Sequence, residues 1–446
     1  MTPGIEDFWF IPLGGCGEIG MNLNLFGHDG RWLMVDCGVT FEETANGNEV
    51  QMPDPQFIVD RADSLVGIVA THAHMDHIGA LPYLADQLKC PIYTTAFTAA
   101  VLRPKLREAS CNALVRVIDP QSSLTLGPFS LHWLPITHST PETHGLLIET
   151  GACRVVHTAD WKIDSRPVVG ASFDQPLWQA LADKPIDAVV CDSTNALNSG
   201  HSLSEGDLYE GLLELVSNSQ GRVAIGCFAS NIARLQTLGQ VANESGRYLC
   251  LLGRSLIAMA AAAKSCGYLA EDFNPIPPND LGYLPPKEVM ILATGSQGEP
   301  GAALTRLATN RHPSLELTEG DRVIFSAKAI PGNEQRIAAM EANFLATGID
   351  IIHSDQSNLP LHASGHPNAD ELTHMYRWLA PKLAIPVHGE KQHMQKNARL
   401  AKASGVERQL VGQNGDLFRI APMPSVMRSA VPVGRLVDDR GQLKRV

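Results

Sequence analysis

Six consecutive positions, His72-Ala73-His74-Met75-Asp76-His77, carry three histidines and an aspartate. They follow a short apolar run at Gly67–Ala70 and precede a helical pattern over Ile78–Leu88. Residues two apart in an extended chain project to the same side, so His72 and His74 can grip one cation. The turn into the helix then lets Asp76 and His77 face a second position nearby. Imidazole and carboxylate without thiol suit zinc or manganese. A histidine cluster of no consequence does not normally sit at the end of a buried strand with an acid included. Two ions need more ligands, and other strand ends offer them. His138 follows Leu134-Pro135-Ile136, Asp160 follows Val155-Val156-His157-Thr158 and can bridge two ions, and His388 follows Ile385-Pro386-Val387. Asp36, after Leu33-Met34-Val35, is expected behind the ligands, orienting a histidine by hydrogen bond.

Strands are expected at Phe8–Leu13, Met21–Phe26 and Trp32–Val35, with His28-Asp29-Gly30 as a hairpin signal. Further strand-like runs lie between 115 and 160, ending at Arg154–Thr158, and at Ala188–Cys191. From about 205 to 350 helices and strands alternate (helix near Leu208–Val216, strand Arg222–Gly226, helix Leu256–Lys264, strand Val289–Ala293), which argues a parallel α/β sheet. A strand-like Ile351-Ile352, a helix over Ala369–Leu379 and a strand at Leu383–Val387 follow, and the prolines at 275–286 read as a surface connection. Gly15, Gly17 and Gly20 spell a dinucleotide fingerprint with Asp36 downstream, but that motif needs a helix opening at the third glycine. Met21-Asn22-Leu23-Asn24-Leu25-Phe26 alternates with period two instead, so a turn between antiparallel strands is expected and nicotinamide binding is rejected.

The chain has 446 residues, 44% of them hydrophobic, enough for about two to three domains with real cores. No apolar run approaches the ~20 residues of a membrane helix, so no membrane partner is expected. Glu6 and Asp7 stand where a signal peptide is basic, which points to a cytoplasmic protein. Nine cysteines without a C-x-x-C pair are expected as buried, reduced thiols. A net charge of −12 weighs at first against nucleic acid, whose phosphates attract cations.

The order of motifs resembles ribonuclease J-like members of the β-CASP branch of the metallo-β-lactamase superfamily, over nearly the whole chain. The motifs are Leu13-Gly14-Gly15 through Glu18-Ile19-Gly20, Asp192-Ser193-Thr194-Asn195, Phe228-Ala229-Ser230-Asn231 and Gly253-Arg254-Ser255. Ala293-Thr294-Gly295-Ser296-Gln297-Gly298-Glu299-Pro300, Ile330-Pro331-Gly332-Asn333-Glu334, His362-Ala363-Ser364-Gly365-His366 and Pro386-Val387-His388-Gly389-Glu390 complete them. The implied fold class is α/β: a metallo-β-lactamase αββα sandwich with an inserted β-CASP α/β domain. Its first part is expected over 1–205, the insertion over 206–350 and the return segment over 351–446, without the C-terminal domain common in the family.

By that resemblance His72, His74 and His138 hold one divalent ion and Asp76, His77 and His388 a second, with Asp160 bridging. Asp192, His366 and His388 fall where the branch has an extra acid and two histidines. The implied reaction is hydrolysis of an RNA phosphodiester, as a 5′–3′ exonuclease, an endonuclease or both. Hydroxide generated at two ions attacks phosphorus in line and expels the 3′ oxygen, leaving a 5′ phosphate. Asp76 is expected to orient or deprotonate the nucleophile and His366 to protonate the leaving oxygen. Ala229, Ser230 and Asn231, with His362, Ala363, Ser364, Gly365 and His366, are expected to bind substrate, since short hydroxyls, amides and glycine-flanked backbone cradle phosphate oxygens. Turn chemistry alone accounts for the same residue types, and a tight turn accounts equally well for Gly295–Pro300. The implied partner is single-stranded RNA carrying a 5′ monophosphate, with a homodimer as the oligomer to test. His144 is read as a surface histidine.

Two rivals remain: a thioester or lactone hydrolase on the same binuclear core, and an RNA-binding partner without catalysis, which a full ligand set disfavours. The acidic total is reconciled with RNA because two dications supply about four positive charges against the two of Asp76 and Asp160. Basic residues such as Arg254 and Lys391 are then expected near the cleft.

Overall fold

A computed structural model describes residues 1–446 except 45–46, 331, 355 and 440. Pro331, quoted in one motif above, therefore lies outside the described residues. Strand alternation builds two sheets face to face. Phe8 and Phe10 point one way from the strand Phe8–Gly14, Trp9 and Ile11 the other, and all four are buried. The first set joins Phe26, Leu33 and Val35 against Phe129, Leu131, Ile148 and Val190 of the second sheet, forming the inter-sheet core. The outer face of the first sheet is covered by the helices Leu81–Leu88 and Ala96–Glu108, through Leu84, Leu88, Phe97 and Leu102. The outer face of the second is covered by Ala369–Leu379, through Leu372, Met375 and Tyr376. This is the expected αββα sandwich.

The first sheet has eight strands and the second seven. In the second, Arg154–His157, Ala188–Asp192 and Leu383–Val387 run parallel, with Asp192 in register with Val387. That register puts Asp192 beside His388 although nearly two hundred residues separate them. Phe8–Gly14 pairs antiparallel with Leu23–His28, so Gly15, Gly17 and Gly20 lie in the connection between two antiparallel strands and no helix opens there, although Cys16–Gly17 makes a short parallel pairing with Gly389–Glu390. Leu417–Ala421 adds to the other edge of Phe8–Gly14, a pairing not anticipated from the sequence.

The insertion forms a separate five-stranded sheet in the order Tyr248–Leu252, Val289–Ala293, Val223–Gly226, Arg322–Phe325, Asp350–His353, parallel throughout. Its edge strand carries the sheet past residue 350. All nine cysteines are free, and only Cys111 and Cys266 are partly exposed. His144 is a correction: it begins the strand His144–Glu149, pairs with Pro135 and is buried, its Nδ1 2.7 Å from the Glu142 carbonyl oxygen. Among the described residues no helix is long and apolar enough to cross a membrane.

One buried ion pair ties the departure of the insertion to its return. Arg234, 1% exposed, donates from Nε and Nη2 to Glu205 at 2.7 and 3.1 Å. Its Nη1 reaches the carbonyls of Ser326 at 2.6 Å and Leu361 at 3.4 Å. Removing one member strands a buried charge, so Arg234→Met is expected to cost about 3–5 kcal/mol in urea unfolding. A variant that also replaces Glu205 with leucine should recover much of that loss.

Candidate metal centre

The strand Leu65–Val69 leads into an extended segment whose His74 (ψ 149°) caps the short helix Met75–Ile78. Backbone bonds pin this segment: Asn22 N donates to Asp76 O at 2.9 Å, Cys37 N to His77 O at 2.7 Å and Val39 N to Met75 O at 3.0 Å. Gly38 is pressed so close that a Cβ would lie 1.7 Å from Asp76 O, so any side chain there would displace the loop. The other expected ligands arrive from second-sheet strand ends, His138 after Phe129–Pro135, Asp160 after Arg154–His157 and His388 after Leu383–Val387.

The structure brings all seven expected ligands together. Donor atoms of His72, His74, His138 and Asp160 lie within 4.8 Å of one another, and so do those of Asp76, His77, Asp160 and His388. Asp160 belongs to both groups. Its Oδ2 stands 3.1 Å from His77 Nε2, 3.8 Å from His72 Nε2 and 3.9 Å from His138 Nε2, and its Oδ1 4.0 Å from His388 Nε2. His74 Nδ1 lies 3.1 Å from His138 Nε2, and His388 Nε2 lies 3.1 Å from Asp76 Oδ2. His72 Nε2 is buried without a hydrogen-bond partner, the condition of a donor atom awaiting an ion.

Each remaining ring nitrogen is occupied. His77 Nδ1 meets Asp36 Oδ2 at 2.7 Å, His138 Nδ1 the Gly365 carbonyl at 2.6 Å and His388 Nδ1 the Thr194 hydroxyl at 2.6 Å. His72 Nδ1 lies 3.0 Å from Thr71 Oγ1. These contacts fix ring orientation and tautomer. Gly365 must lack a side chain, since a Cβ would sit 2.5 Å from His138 Cε1. Asp36 is buried and also accepts from Thr71 N and Oγ1, as the expected orienting residue should. Asp36→Asn is expected to weaken metal affinity about 10–100-fold, read by competition with a chromophoric chelator.

Burial holds the His72 and His138 imidazoles well below their usual pKa and brings His74 to about 4, so all three are neutral. Neutral imidazole is the form that ligates. Around Asp160 the balance differs. Burial alone would lower His77 and His388, but Asp160 and the neighbouring carboxylates outweigh it and raise both. Burial would raise Asp160, and His388, His77 and His366 outweigh it, keeping the carboxylate ionised. His366 is raised likewise: burial opposes, while Asp192 and Asp160 prevail. Its Nδ1 sits 2.8 Å from Asp192 Oδ2, leaving Nε2 3.9 Å from Asp160 Oδ2.

A cavity of about 450 Å³ is lined by His362, Ala363 and Ser364, together with Asn195, His201 and Lys328. Asn195 Nδ2 joins it to the centre by donating to Ser364 Oγ at 2.8 Å and to the His366 carbonyl at 3.3 Å. Gly365 and His366 lie on the metal side. Ala229, Ser230 and Asn231 do not line the cavity. Asn231 instead caps the helix Ile232–Glu244, its Oδ1 accepting from Arg234 N at 2.9 Å. Arg254 and Lys391 do not line it either. Thr194, Asn195 and Lys328 were not singled out from the sequence. The first two stood inside a quoted motif, whereas Lys328 had no local signal.

Three family profiles match in chain order: the metallo-beta-lactamase superfamily over 21–191, the ribonuclease J beta-CASP domain over 220–344, and the Zn-dependent metallo-hydrolase RNA specificity domain over 360–410. A ribonuclease J of Sinorhizobium meliloti is 38% identical over 97% of this chain and 78% of its own length. Ribonuclease J proteins of Mycolicibacterium smegmatis and Mycobacterium tuberculosis are 37% and 34% identical, each over 96% of this chain and 77% of theirs. A crystal structure of a protein of unknown function from Enterococcus faecalis shares the fold, with a TM-score of 0.65 at 14% identity over 93% of this chain and all of the other. Identity of this order, sustained along nearly the whole chain with the three profiles in sequence, means that the chain belongs to the ribonuclease J family.

Proposed function

We infer that the protein is a metal-dependent ribonuclease. The observation that carries this is the pair of ligand groups sharing Asp160 in a chain of this family. Two divalent ions, when bound, lower the pKa of a water and neutralise charge on a phosphodiester. His72, His74, His138 and Asp160 would hold one, and Asp76, His77, Asp160 and His388 the other. Asp76 orients or deprotonates the attacking water at its carboxylate. His366, oriented by Asp192, delivers a proton from Nε2 to the departing 3′ oxygen. His362, Ala363 and Ser364 bind substrate backbone from the cavity side and Gly365 and His366 from the metal side, with Ala229, Ser230 and Asn231 as further substrate contacts.

The donor set of imidazole and carboxylate favours zinc or manganese. The substrate is single-stranded RNA, preferentially with a 5′ monophosphate, cleaved from the 5′ end or internally. A homodimer and a cytoplasmic location complete the reading, with the chain divided at about 206 and 350. Relatives named for RNA cleavage disfavour the thioester or lactone alternative. The test is incubation of purified protein with manganese or zinc and single-stranded RNAs bearing 5′ monophosphate, triphosphate or hydroxyl. Cleavage fastest on the monophosphate supports the reading. Turnover of a small ester with no RNA cleaved would overturn it.

A further inference from the structure

The Ala293–Pro300 motif contributes no ligand to the metal centre, yet its Gln297 is only 3% exposed. The buried carboxamide lies along a distant backbone segment as a neighbouring strand would. Nε2 donates to the Lys328 carbonyl at 3.0 Å, and Oε1 accepts from the Ile330 N–H at 2.8 Å. Asn333 Nδ2 also reaches Oε1 at 3.4 Å, and Gln297 N donates to Glu299 Oε2 at 2.9 Å. A carboxamide engaged at both ends by one segment fixes that segment's position and register.

The segment so fixed carries Lys328, whose exposed side chain is the one lysine or arginine among the described residues lining the 450 Å³ cavity. Across the same cavity His362 Nδ1 is buried with no hydrogen-bond partner. Burial, then the charges of Arg234 and Lys328, push that imidazole down to about 3, so it supplies no positive charge. Hydroxyls and carboxamides of Asn195, Ser199, Ser202 and Ser364 make up much of the remaining wall. The lining is thus built to accept a polar, anionic chain and carries one cation to anchor it.

We propose that Lys328 contacts the phosphodiester backbone of single-stranded RNA in this cavity, and that Gln297 is the positioning residue that holds it there. The proposal rests on the ribonuclease reading. A failure of that reading shows separately, as wild-type protein that cleaves no RNA.

The experiment measures kcat and KM on single-stranded RNA at several salt concentrations, for wild type, Lys328→Met, Gln297→Met and the double variant. Lys328→Met is expected to raise KM about tenfold and to lower the salt slope by about 0.7, the value of one phosphate contact on a single strand. The change falls on KM rather than kcat. Gln297→Met should raise KM severalfold by itself and add nothing in the Lys328→Met background. Should Gln297→Met fail to fold, Gln297→Glu is read in its place: it keeps the size and the acceptor for Ile330 but sets an oxygen against the Lys328 carbonyl. Unchanged KM and salt slope in Lys328→Met would overturn the contact. A Gln297 effect that persists undiminished without Lys328 would overturn the positioning role.

Discussion

Asp160→Ala is expected to reduce bound metal from about two ions per chain to fewer than one and to lower RNA cleavage by at least about 10⁴-fold. The reason is geometric. Asp160 is 2% exposed and is the one carboxylate within reach of both ligand groups, 3.8 Å from His72 on one side and 3.1 Å from His77 on the other. Without it, five imidazoles from the two groups crowd a buried space in which Asp76 is the one carboxylate left in either group. Elemental analysis counts the ions, and thermal melting of the metal-free forms shows whether the fold survives. A variant that keeps two ions would contradict the bridging role.

His366→Ala is expected to act on turnover. Loss of a general acid should lower kcat about 10²–10⁴-fold with RNA affinity and metal content nearly unchanged. The pH profile gives the sign. Because Asp192 and Asp160 outweigh burial and raise its pKa, His366 stays protonated further up the pH scale than a free histidine. The wild-type rate should therefore fall as pH rises through that raised pKa, and this alkaline limb should vanish in the alanine variant. A loss seen mainly in KM would assign His366 to phosphate contact instead.

The candidate ligands were legible because they stand where an apolar strand stops or, for Asp76 and His77, in the helical turn that follows one, positions that sequence pattern marks well. Asp36 was legible for the same reason. Their orienting partners were less so. Thr194 meets His388, and Gly365 meets His138, only after the insertion folds away and Leu383–Val387 returns beside Ala188–Asp192. Such pairings depend on three-dimensional register and leave no periodicity in the chain. His144 was misread because a short polar stretch before it hides the start of a buried strand. Asn231 matches turn chemistry and phosphate chemistry equally well in sequence, and its bond to Arg234 N shows the capping use. The acidic net charge was the weakest guide. It sums over the whole surface, whereas the charge that matters for RNA is local, set in the proposed binding cavity by Lys328 and at the metal centre by the ions the ligand groups would hold.

Hydroxide attack on phosphorus at a two-ion site leaves an isotopic signature, read by cleaving single-stranded RNA in ¹⁸O-water with the manganese-loaded protein and weighing the products by mass spectrometry. The expected result is one ¹⁸O atom in a new 5′ phosphate, with a free 3′ hydroxyl on the other fragment. A 2′,3′-cyclic phosphate, or label on the 3′ side of the break, would contradict it.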